Sequence, residues 1–578
     1  MPAFKKHFLF NRKYFVMSIF RGAVDDPLME VTFGQLLDDT AARWPDREAY
    51  VFKKTGQRVT YADLQKKASK LAAGLKAIGT TRGDVVAWLF EYRPEWVYLY
   101  FAVAKLGAIA FPLKEERLGR NVEVMYYALK KAGVKILIMG DISGVDQTDD
   151  TIPYLCSLFP EVKTVGPGML QIKRLPTLTS VVLLESKEAV TGVYTLEEVE
   201  RMGNDDKLLV EVRTLQDQLS CHDTFRLLLT SGSTGHPKCA EQSMYSLYNN
   251  ICFKNKALRM PNKGTVLHPC LLWFDVMWPF VAGFTIVVPA NRCFSSSEIL
   301  KTMQEERCHS IVSLYVKECH RLLHDPHLGD YDLSSLERVI VGGNVTPKSL
   351  LDRAAKVLPN AKISVNYGAT EFISVAVSAV DMTGEGRGST VGKIFPHTEV
   401  QLVDKDGQVV PLGHEGELWV RGHSVFKGYR GDAEKTSKAM TTDGFYKTGD
   451  VCILDENGVL KIVGRVSDMI IRDGYNVYPA AAESPLLKHP KVYDVRVTGV
   501  PDPISVEEVC ACVILKEGQT TDSQELKKFC AEIEMVPIDR PGYLVFMDAF
   551  PLTSTQCKVD RKRLRLIAME KLGLKEEA

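Results

Sequence analysis

The sequence predicts an α/β fold built from more than one packed unit. Its 578 residues exceed the roughly 250 to 300 residues at which a single hydrophobic core stops growing. Hydrophobic residues make up 45% of the chain and charged residues 25%, as in ordinary globular proteins. Strand-like and helix-like segments alternate along the first part of the chain, which is typical of a parallel sheet covered by helices.

Hydrophobic periodicity predicts the elements in order. After Thr32, FGQLLDDTAARW has helical spacing and is followed by strand-like YVF, a turn, and the amphipathic helix ADLQKKASKLAAGLKAIG. The alternation continues through VVAWLF, WVYLYFAVAKLG, AIAFPL, VMYYALKKAG and VKILIMG. It resumes after a polar stretch near Gly203 with strand-like FRLLLT, and further β-rich segments surround EGELWVRG and GVLKIVGR.

Charge and cysteine content argue against several classes of protein. Lys plus Arg and Asp plus Glu are both 72, so no net field draws the whole chain to nucleic acid. The 13 cysteines are scattered and lack paired CxxC spacing, which favours reduced buried thiols over a zinc site. Two adjacent pairs, Cys308 with His309 and Cys319 with His320, are likewise interpreted as buried thiols beside surface histidines and not as a metal site. We therefore expect a cytoplasmic protein, with the mitochondrion as the second choice.

The sequence predicts no transmembrane segment. The longest apolar stretch, 85–113, is interrupted by charges that are costly at a bilayer centre, namely Glu91, Arg93, Glu95 and Lys105. Residues 1–28 form an N-terminal extension that is basic and aromatic and has no acid before Asp25. This composition fits a mitochondrial presequence or a peripheral membrane contact, and it fits a frayed extension equally well.

A turn rich in glycine and hydroxyl groups follows FRLLLT. Residues 230–238 read TSGSTGHPK and include Thr230, Ser231, Gly232, Ser233, Thr234, Gly235 and Lys238. Such a turn can direct backbone N–H groups, hydroxyls and one cation at a polyphosphate. The GxxxxGK[ST] spacing of a Walker A loop is absent, and taken alone the turn also fits an ordinary surface loop.

With four later motifs, this turn resembles the phosphate loop of the adenylate-forming (ANL) superfamily, in its acyl-CoA synthetase or fatty-acid–CoA ligase branch. The motifs follow in the family's order as NYGATE (366–371), GELWVRG (416–422) with Gly428 and Tyr429, YKTGD (446–450) and GRVSDMIIRDGYNVYP (464–479). The resemblance implies a large adenylation domain over 29–463, with two α/β subdomains and a small β-barrel. It also implies a smaller, mobile α+β C-terminal domain over 464–578.

The resemblance implies that the chain binds ATP. Asp450 would accept hydrogen bonds from the ribose hydroxyls, and Arg465 would reach the nucleotide from the interdomain connector. Tyr367 would offer its ring to adenine, and Gly342 and Gly343 would let the backbone approach that ring. The rest of the nucleotide motif comprises Asn366, Gly368, Ala369 and Thr370. Outside this context, Tyr367 would more often be core packing and Asp450 a turn cap.

The implied catalytic residues are Lys558, Lys238, Glu371 and Thr234. Glu371, with Thr234, would bind Mg²⁺, because a hard cation that bridges phosphates takes one or two carboxylates plus water. Lys558 corresponds to the lysine that reaches the first-step site, where a cation stabilises the charge that develops as a carboxylate attacks the α-phosphate. The competing interpretation places Lys558 on a solvated basic face with the arginines and lysine that follow it.

Two regions depart from the family's pattern. Gln556 and Cys557 precede Lys558 where the family usually has PxTxxGK, so the position of the lysine can shift. The acid-binding region reads PCLLWFDVMWPF (269–280) and lacks the family's frequent histidine gate. Trp273, Phe274 and Met277 would line a substrate tunnel, although such clusters are more often plain core.

The implied reaction has two steps. A small-molecule carboxylic acid, favoured as a fatty or other hydrophobic acid, would react with Mg-ATP to give acyl-AMP and pyrophosphate. CoA, the second co-substrate, would then take the acyl group through a channel lined by Arg472, Gly474 and Tyr475 after rotation about a hinge at Ser467. A carnitine- or crotonobetaine-type acid–CoA ligase, an enzyme that loads a carrier protein, and a non-catalytic acyl- or nucleotide-binding protein remain alternatives.

Overall fold

The structure is a mixed α/β protein with a large N-terminal domain and a smaller C-terminal domain, as the sequence predicts. It is a computed structural model. It describes residues 16–113, 121–141, 151–185, 190–230, 237–260, 264–269, 277–291, 294–343, 346, 348–378, 390–502, 505–533, 535–552 and 559–575.

The bounds of the regular elements are as follows. The helices are α1 (Phe33–Arg43), α2 (Tyr61–Ala77), α3 (Pro94–Lys105), α4 (Val122–Ala132), α5 (Thr151–Leu158), α6 (Leu196–Met202), α7 (Asp206–Gln216), α8 (Met244–Ala257), α9 (Trp278–Ala282), α10 (Ser296–Glu305), α11 (Val316–Leu323), α12 (Lys348–Val357), α13 (Ala433–Ala439), α14 (Pro479–Leu486), α15 (Ser523–Glu532) and α16 (Arg561–Leu572). The strands are β1 (Ile19–Arg21), β2 (Glu48–Phe52), β3 (Gln57–Thr60), β4 (Val85–Leu89), β5 (Ile109–Pro112), β6 (Val134–Met139), β7 (Ser180–Leu183), β8 (Tyr194–Thr195), β9 (Thr224–Thr230), β10 (Lys238–Ser243), β11 (Thr265–Leu267), β12 (Thr285–Val288), β13 (Ser310–Tyr315), β14 (Arg338–Gly342), β15 (Lys362–Tyr367), β16 (Ala376–Val377), β17 (Gly392–Ile394), β18 (Thr398–Val403), β19 (Gly416–Gly422), β20 (Gly428–Tyr429), β21 (Tyr446–Leu454), β22 (Val459–Arg465), β23 (Ile470–Arg472), β24 (Tyr475–Val477), β25 (Val492–Asp502), β26 (Val506–Leu515) and β27 (Tyr543–Phe546).

The first helices begin where the sequence predicts. The Thr32 side chain accepts a hydrogen bond from the backbone of Gln35, and the Gln35 side chain accepts one from the backbone of Thr32. Thr60 and Asp63 make the same reciprocal arrangement at the start of α2. Each capping box satisfies N–H groups that an isolated helix would leave without partners.

An eight-stranded sheet holds the phosphate-loop strand. Its order is β20-β10-β9-β5-β4-β6-β7-β8, with β9, β5, β4, β6, β7 and β8 parallel. β10 and β20 are antiparallel to their neighbours. The predicted strands β4 and β5 are buried along their whole length, as expected for a parallel sheet with both faces covered.

A fourteen-stranded sheet combines a parallel and an antiparallel section, in the order β1-β18-β19-β21-β22-β17-β16-β15-β14-β13-β11-β12-β2-β3. The strands β15, β14, β13, β11, β12 and β2 are parallel. The section from β16 to β1 is antiparallel. Its strands continue the hydrogen-bonded path of the parallel section, which brings β15 and β21 into the same sheet.

The two large sheets share one hydrophobic core. The largest cluster of buried apolar residues contains Tyr50 and Phe52 of the second sheet together with Val86 and Trp88 of the first. Residues of α1, α2, α3 and α8 belong to the same cluster. Fixing the two sheets against each other in this way holds the ends of their strands in constant relative positions.

A buried lysine of α3 forms an ion pair with α1. Lys105, one of the charges that argue against a membrane span, is only 1% exposed. Its Nζ lies 2.6 Å from Asp38 Oδ1 on α1, and burial lowers the pKa of Lys105 despite this partner. Among the described residues, no helix is long and apolar enough to cross a bilayer.

A short connector joins the two domains. β22 ends at Arg465, a 3₁₀ turn spans Val466–Asp468, and β23 begins the smaller sheet at Ile470. That sheet has the order β24-β23-β26-β25, with β27 paired to β26. The ten cysteines that the structure describes are free thiols.

His423, which directly follows β19, predicts that the fold is less stable in acid. Neither ring nitrogen of His423 has a hydrogen-bond partner among the described residues, and Phe253 packs edge-on against the ring at 5.3 Å. Burial lowers the pKa of His423 to about 4, opposed by the nearby His397 backbone. The His423 ring therefore binds a proton at a higher pH in the unfolded chain than in the folded chain. Stability should fall as the pH drops below about 6.5, by about 2 kcal/mol on reaching about pH 5.

Replacing His423 with leucine should remove that part of the pH dependence. Urea unfolding of the N-terminal domain at near-neutral and mildly acidic pH measures the effect. A smaller drop in transition midpoint for His423→Leu than for the wild type is expected. His327→Leu, which alters an exposed histidine, is the matched control. Equal acid sensitivity of His423→Leu and the wild type would contradict the assignment.

Candidate functional site

The predicted site residues converge where several strands end. β9 ends at Thr230 and β10 starts at Lys238, β14 ends at Gly342, and β15 ends at Tyr367. The antiparallel section adds Asp450 on β21 and Arg465 on β22, which face each other across the strand pair. In open α/β sheets the crevice beyond the carboxyl ends of parallel strands is the usual place for a ligand.

Asp450 is the centre of a hydrogen-bonded group. The Tyr367 hydroxyl donates to Asp450 Oδ2 at 2.6 Å, and Arg465 Nε donates to Asp450 Oδ1 at 2.7 Å. Asp450 is 6% exposed, and its backbone N–H donates to Thr448 Oγ1. Burial, followed by the charge of Asp450, raises the pKa of Tyr367 well above its usual value. The tyrosine is therefore a neutral donor that fixes one carboxylate oxygen.

The nucleotide motif around Tyr367 is packed against backbone. Gly342 lies beside Asn366 in the parallel pair β14–β15, where a Cβ would be 2.9 Å from the Asn366 carbonyl oxygen. A Cβ on Gly368 would be 1.8 Å from the Ile373 carbonyl oxygen, so only glycine fits there. Gly343 has φ +85°, a left-handed conformation that favours glycine. Ala369 follows in the same loop and is partly buried.

A buried polar chain holds the end of this loop. Gln242 Nε2 donates to the Thr370 carbonyl oxygen at 2.7 Å. Arg226 Nε donates to Gln242 Oε1 at 3.0 Å, and Arg226 is 1% exposed. The sequence motifs do not point to these two residues, although an arginine within the apolar run FRLLLT is an available signal. They fix the residue that directly precedes Glu371.

The phosphate side of the site presents a hydroxyl and a cation. Thr230 Oγ1 is buried and has no hydrogen-bond partner among the described residues. Lys238 Nζ lies 4.7 Å above the centre of the Tyr429 ring and makes no ion pair within the described part of the chain. A buried hydroxyl and an unpaired cation at the two ends of a loop fit a phosphate group. Ser231, Gly232, Ser233, Thr234 and Gly235 lie outside the described residues.

Glu371 is held by a tyrosine. The Tyr429 hydroxyl donates to Glu371 Oε1 at 2.9 Å, and the Glu371 carbonyl oxygen accepts from the backbone of Phe426. The carboxylate is half-buried. One such carboxylate, beside phosphate oxygens and water, fits Mg²⁺. Among the described residues, no group of three or more His, Cys, Asp or Glu could by itself hold a metal ion.

The predicted CoA-channel and hinge residues belong to the smaller domain. Arg472 donates to the carbonyl oxygens of Ile538 and Arg540 and pairs with Glu508 at 2.9 Å. Gly474 has φ +78° at the tip of the hairpin β23–β24, and the neighbouring Tyr475 is 66% exposed. The structure brings none of these three to Asp450. The Ser467 hydroxyl contacts Asp468 within the connector.

Lys558, Gln556 and Cys557 lie outside the described residues, as do Trp273 and Phe274. The basic residues after Lys558 are described, and two of them are engaged in ion pairs. Arg561 pairs with Glu483 at 2.9 Å, and Arg565 pairs with Glu507. This part of the basic run is therefore not a purely solvated face. Met277 is fully buried in the shared core.

Comparison with known families matches most of the chain. The family model described as AMP-binding enzyme matches residues 37–430, and the model for the AMP-binding enzyme C-terminal domain matches residues 481–556. The mitochondrial medium-chain acyl-CoA ligase ACSF2 of Bos taurus is 34% identical over 564 residues, which cover 95% of this chain and 89% of that protein. Its Homo sapiens counterpart is 33% identical over 565 residues with the same coverage.

Solved structures agree in fold. The anthranilate CoA ligase AuaEII, crystallised with anthranoyl-AMP, superimposes with a TM-score of 0.77 at 22% identity and covers 95% of this chain and 99% of that one. ATP-bound MatB from Rhodopseudomonas palustris has a TM-score of 0.75 at 23% identity, with 93% and 99% coverage. At this level of identity, the comparison establishes a common fold over both domains.

Proposed function

The chain belongs to the AMP-binding enzyme family and is an AMP-forming acid–thiol ligase of the acyl-CoA synthetase type, and on that premise we propose that it converts a hydrophobic, medium-chain carboxylic acid to its CoA thioester. Acyl-AMP is the intermediate, and Mg²⁺ accompanies ATP. The observation that carries the proposal is the buried Asp450 carboxylate, which is held between Tyr367 and Arg465.

The roles of the nucleotide-binding residues follow from the contacts. Each oxygen of Asp450 accepts one protein hydrogen bond, and a carboxylate oxygen retains capacity for a second donor. The ribose hydroxyls would supply those donors. Thr230 would bind the phosphates through its buried hydroxyl, and Lys238 through its ammonium group. Glu371 would hold Mg²⁺, which neutralises charge on the phosphates when bound.

The first chemical step requires a cation beside the α-phosphate. The acid's carboxylate and the phosphate are both anionic, so attack concentrates negative charge on the reacting oxygens. Lys558 would stabilise that charge, and pyrophosphate leaves as the carboxylate oxygen bonds to phosphorus. Closure of the smaller domain would exclude water from the acyl-AMP, which hydrolyses readily.

The second step requires the smaller domain to turn about its connector. The exposed hairpin that carries Gly474 and Tyr475 would then line the path of the CoA thiol. The thiol sulfur attacks the acyl carbon and AMP leaves. Arg472 would support the hairpin from within the smaller domain, because backbone carbonyl oxygens and Glu508 of that domain hold its guanidinium.

The proposed acid follows from the relatives and from the apolar composition of the acid-binding region that the sequence predicts. The mammalian relatives are named medium-chain acyl-CoA ligases, and Met277 and Trp278 of the acid-binding region are fully buried. Acyl-CoA formation, measured by mass spectrometry with octanoate, palmitate, acetate and carnitine as competing acids, should be fastest with octanoate. Preference for carnitine would favour the betaine-acid alternative, and product only with a carrier protein would favour the loading enzyme.

The relatives also bear on the compartment. They are named as mitochondrial, which supports the second of the two compartments expected from the sequence. We propose a mitochondrial protein whose presequence lies in the basic residues before β1, among which there is no acid. Imaging of the full chain with a C-terminal fluorescent tag tests this, and a uniform cytoplasmic signal would contradict it.

A further inference from the structure

Tyr429 contacts the two charged groups on the phosphate side of the site at once. Lys238 Nζ lies 4.7 Å from the centre of its ring, and its hydroxyl lies 2.9 Å from Glu371 Oε1. The ring face attracts the cation through its quadrupole, and the hydroxyl donates to the carboxylate. In the sequence, this tyrosine is part of a motif and has no predicted role.

The position of Tyr429 is fixed on several sides. Its strand pairs with β10, with Tyr429 opposite Ala240, two residues after Lys238. Its backbone N–H donates to Thr436 Oγ1 at 2.9 Å, and its ring packs edge-on against Phe426 at 4.8 Å. At 5% exposure, the ring has little freedom to move alone. A ring held in this way fixes the positions of both charged groups that contact it.

The two charges contact different parts of Tyr429. No ion pair between Lys238 and Glu371 occurs among the contacts of the described residues, although both side chains touch the same tyrosine. A direct ion pair would neutralise the cation needed for phosphate and occupy the carboxylate needed for Mg²⁺.

We propose that Tyr429 is a positioning residue for adenylation, which holds Lys238 toward the phosphates and Glu371 toward Mg²⁺ and keeps these two side chains from pairing with each other. The proposal rests on the proposed function, because it assigns those two roles to Lys238 and Glu371. The new element is the Tyr429 side chain, which sets the positions of both Lys238 and Glu371.

ATP binding without any acid separates the two contacts. Calorimetric titration with ATP is carried out once in excess Mg²⁺ and once in EDTA, so no reaction occurs. Tyr429→Phe keeps the ring and removes the donor to Glu371. It should weaken Mg-ATP binding roughly tenfold, as expected for one hydrogen bond to a charged group, and leave binding in EDTA within about twofold. Tyr429→Leu also removes the ring, and it should weaken binding under both conditions, because Lys238 can then pair with Glu371.

The matched control is Tyr126→Phe. It removes a buried tyrosine hydrogen bond, from Tyr126 to the Leu158 carbonyl oxygen, in a different core cluster from Tyr429. It should leave ATP affinity unchanged under both conditions. Thermal unfolding of each variant confirms that the proteins are folded.

The outcomes separate the two claims. Wild-type affinity of Tyr429→Phe in Mg²⁺, or an equal loss with Mg²⁺ and with EDTA, would overturn the positioning role. A selective loss in Mg²⁺ would support it even if no acid is ever adenylated, a result that would sink only the proposed function. Failure of the wild type to bind Mg-ATP would overturn both.

Discussion

Replacing Lys558 with alanine is expected to lower the rate of acyl-adenylate formation roughly 10²- to 10³-fold, the usual effect of removing one electrostatic donor from a transition state. The lysine would act only as charge develops at the α-phosphate, so ATP affinity should change little. Single-turnover measurement of pyrophosphate release with octanoate reports the step. Thioester formation from pre-formed acyl-AMP and CoA should proceed at the wild-type rate, because that half-reaction uses the other orientation of the smaller domain.

Lys562 supplies the matched control for Lys558. It is exposed on α16 in the same basic run, and Lys562→Ala should retain adenylation. If Lys558→Ala and Lys562→Ala behaved alike, the basic run would act as a diffuse charged surface. The two-residue departure Gln556 and Cys557 would then have displaced the lysine from its expected place.

Replacing Asp450 with asparagine is expected to weaken ATP binding roughly 100-fold, the equivalent of one or two hydrogen bonds to a charged acceptor. The amide keeps the shape of the side chain. It removes the charge that Arg465 contacts at 2.7 Å, and its NH₂ end cannot accept from Tyr367 or a ribose hydroxyl. Calorimetric titration with Mg-ATP, and with AMP, measures the loss.

The control for Asp450 is Asp84→Asn. Asp84 is a partly buried aspartate beside the first sheet that pairs with Lys135 at 2.7 Å, away from the predicted site residues. This substitution should destabilise the protein without changing affinity for the folded chain. Equal affinities of Asp450→Asn and the wild type would remove Asp450 from the nucleotide site and reduce it to a turn-forming residue.

Local patterns predict the first helices and strands well. α1 and α2 start at capping residues that the sequence displays, and β4 and β5 are short apolar runs. Sheet order cannot be obtained in this way. Ile19 pairs with Gln401, and β2 lies beside β12, because such neighbours are set by packing between distant segments and not by periodicity.

The site residues show the same difference between local motifs, which the sequence reveals, and contacts between distant segments, which it does not. Motif resemblance points to Asp450, Tyr367 and Arg465, and the structure brings all three into one hydrogen-bonded group. The resemblance does not predict that the Tyr367 hydroxyl is bound to Asp450, since a ring expected to face adenine carries no signal about its hydroxyl. Tyr429 was missed as a site residue for a related reason. An aromatic residue in a glycine-rich stretch is usually interpreted as packing, and its two charged contacts come from the start of β10 and from the loop after β15.

Acid-dependent release of pyrophosphate from ATP tests the central claim most directly. The wild-type protein, with Mg²⁺ and octanoate, should release pyrophosphate and form octanoyl-AMP, and octanoyl-CoA should accumulate only when CoA is added. Absence of pyrophosphate release with every acid of the panel, despite measurable ATP binding, would contradict the account. The chain would then be a nucleotide- or acyl-binding protein, with its altered sequence before Lys558 as the place where catalysis was lost.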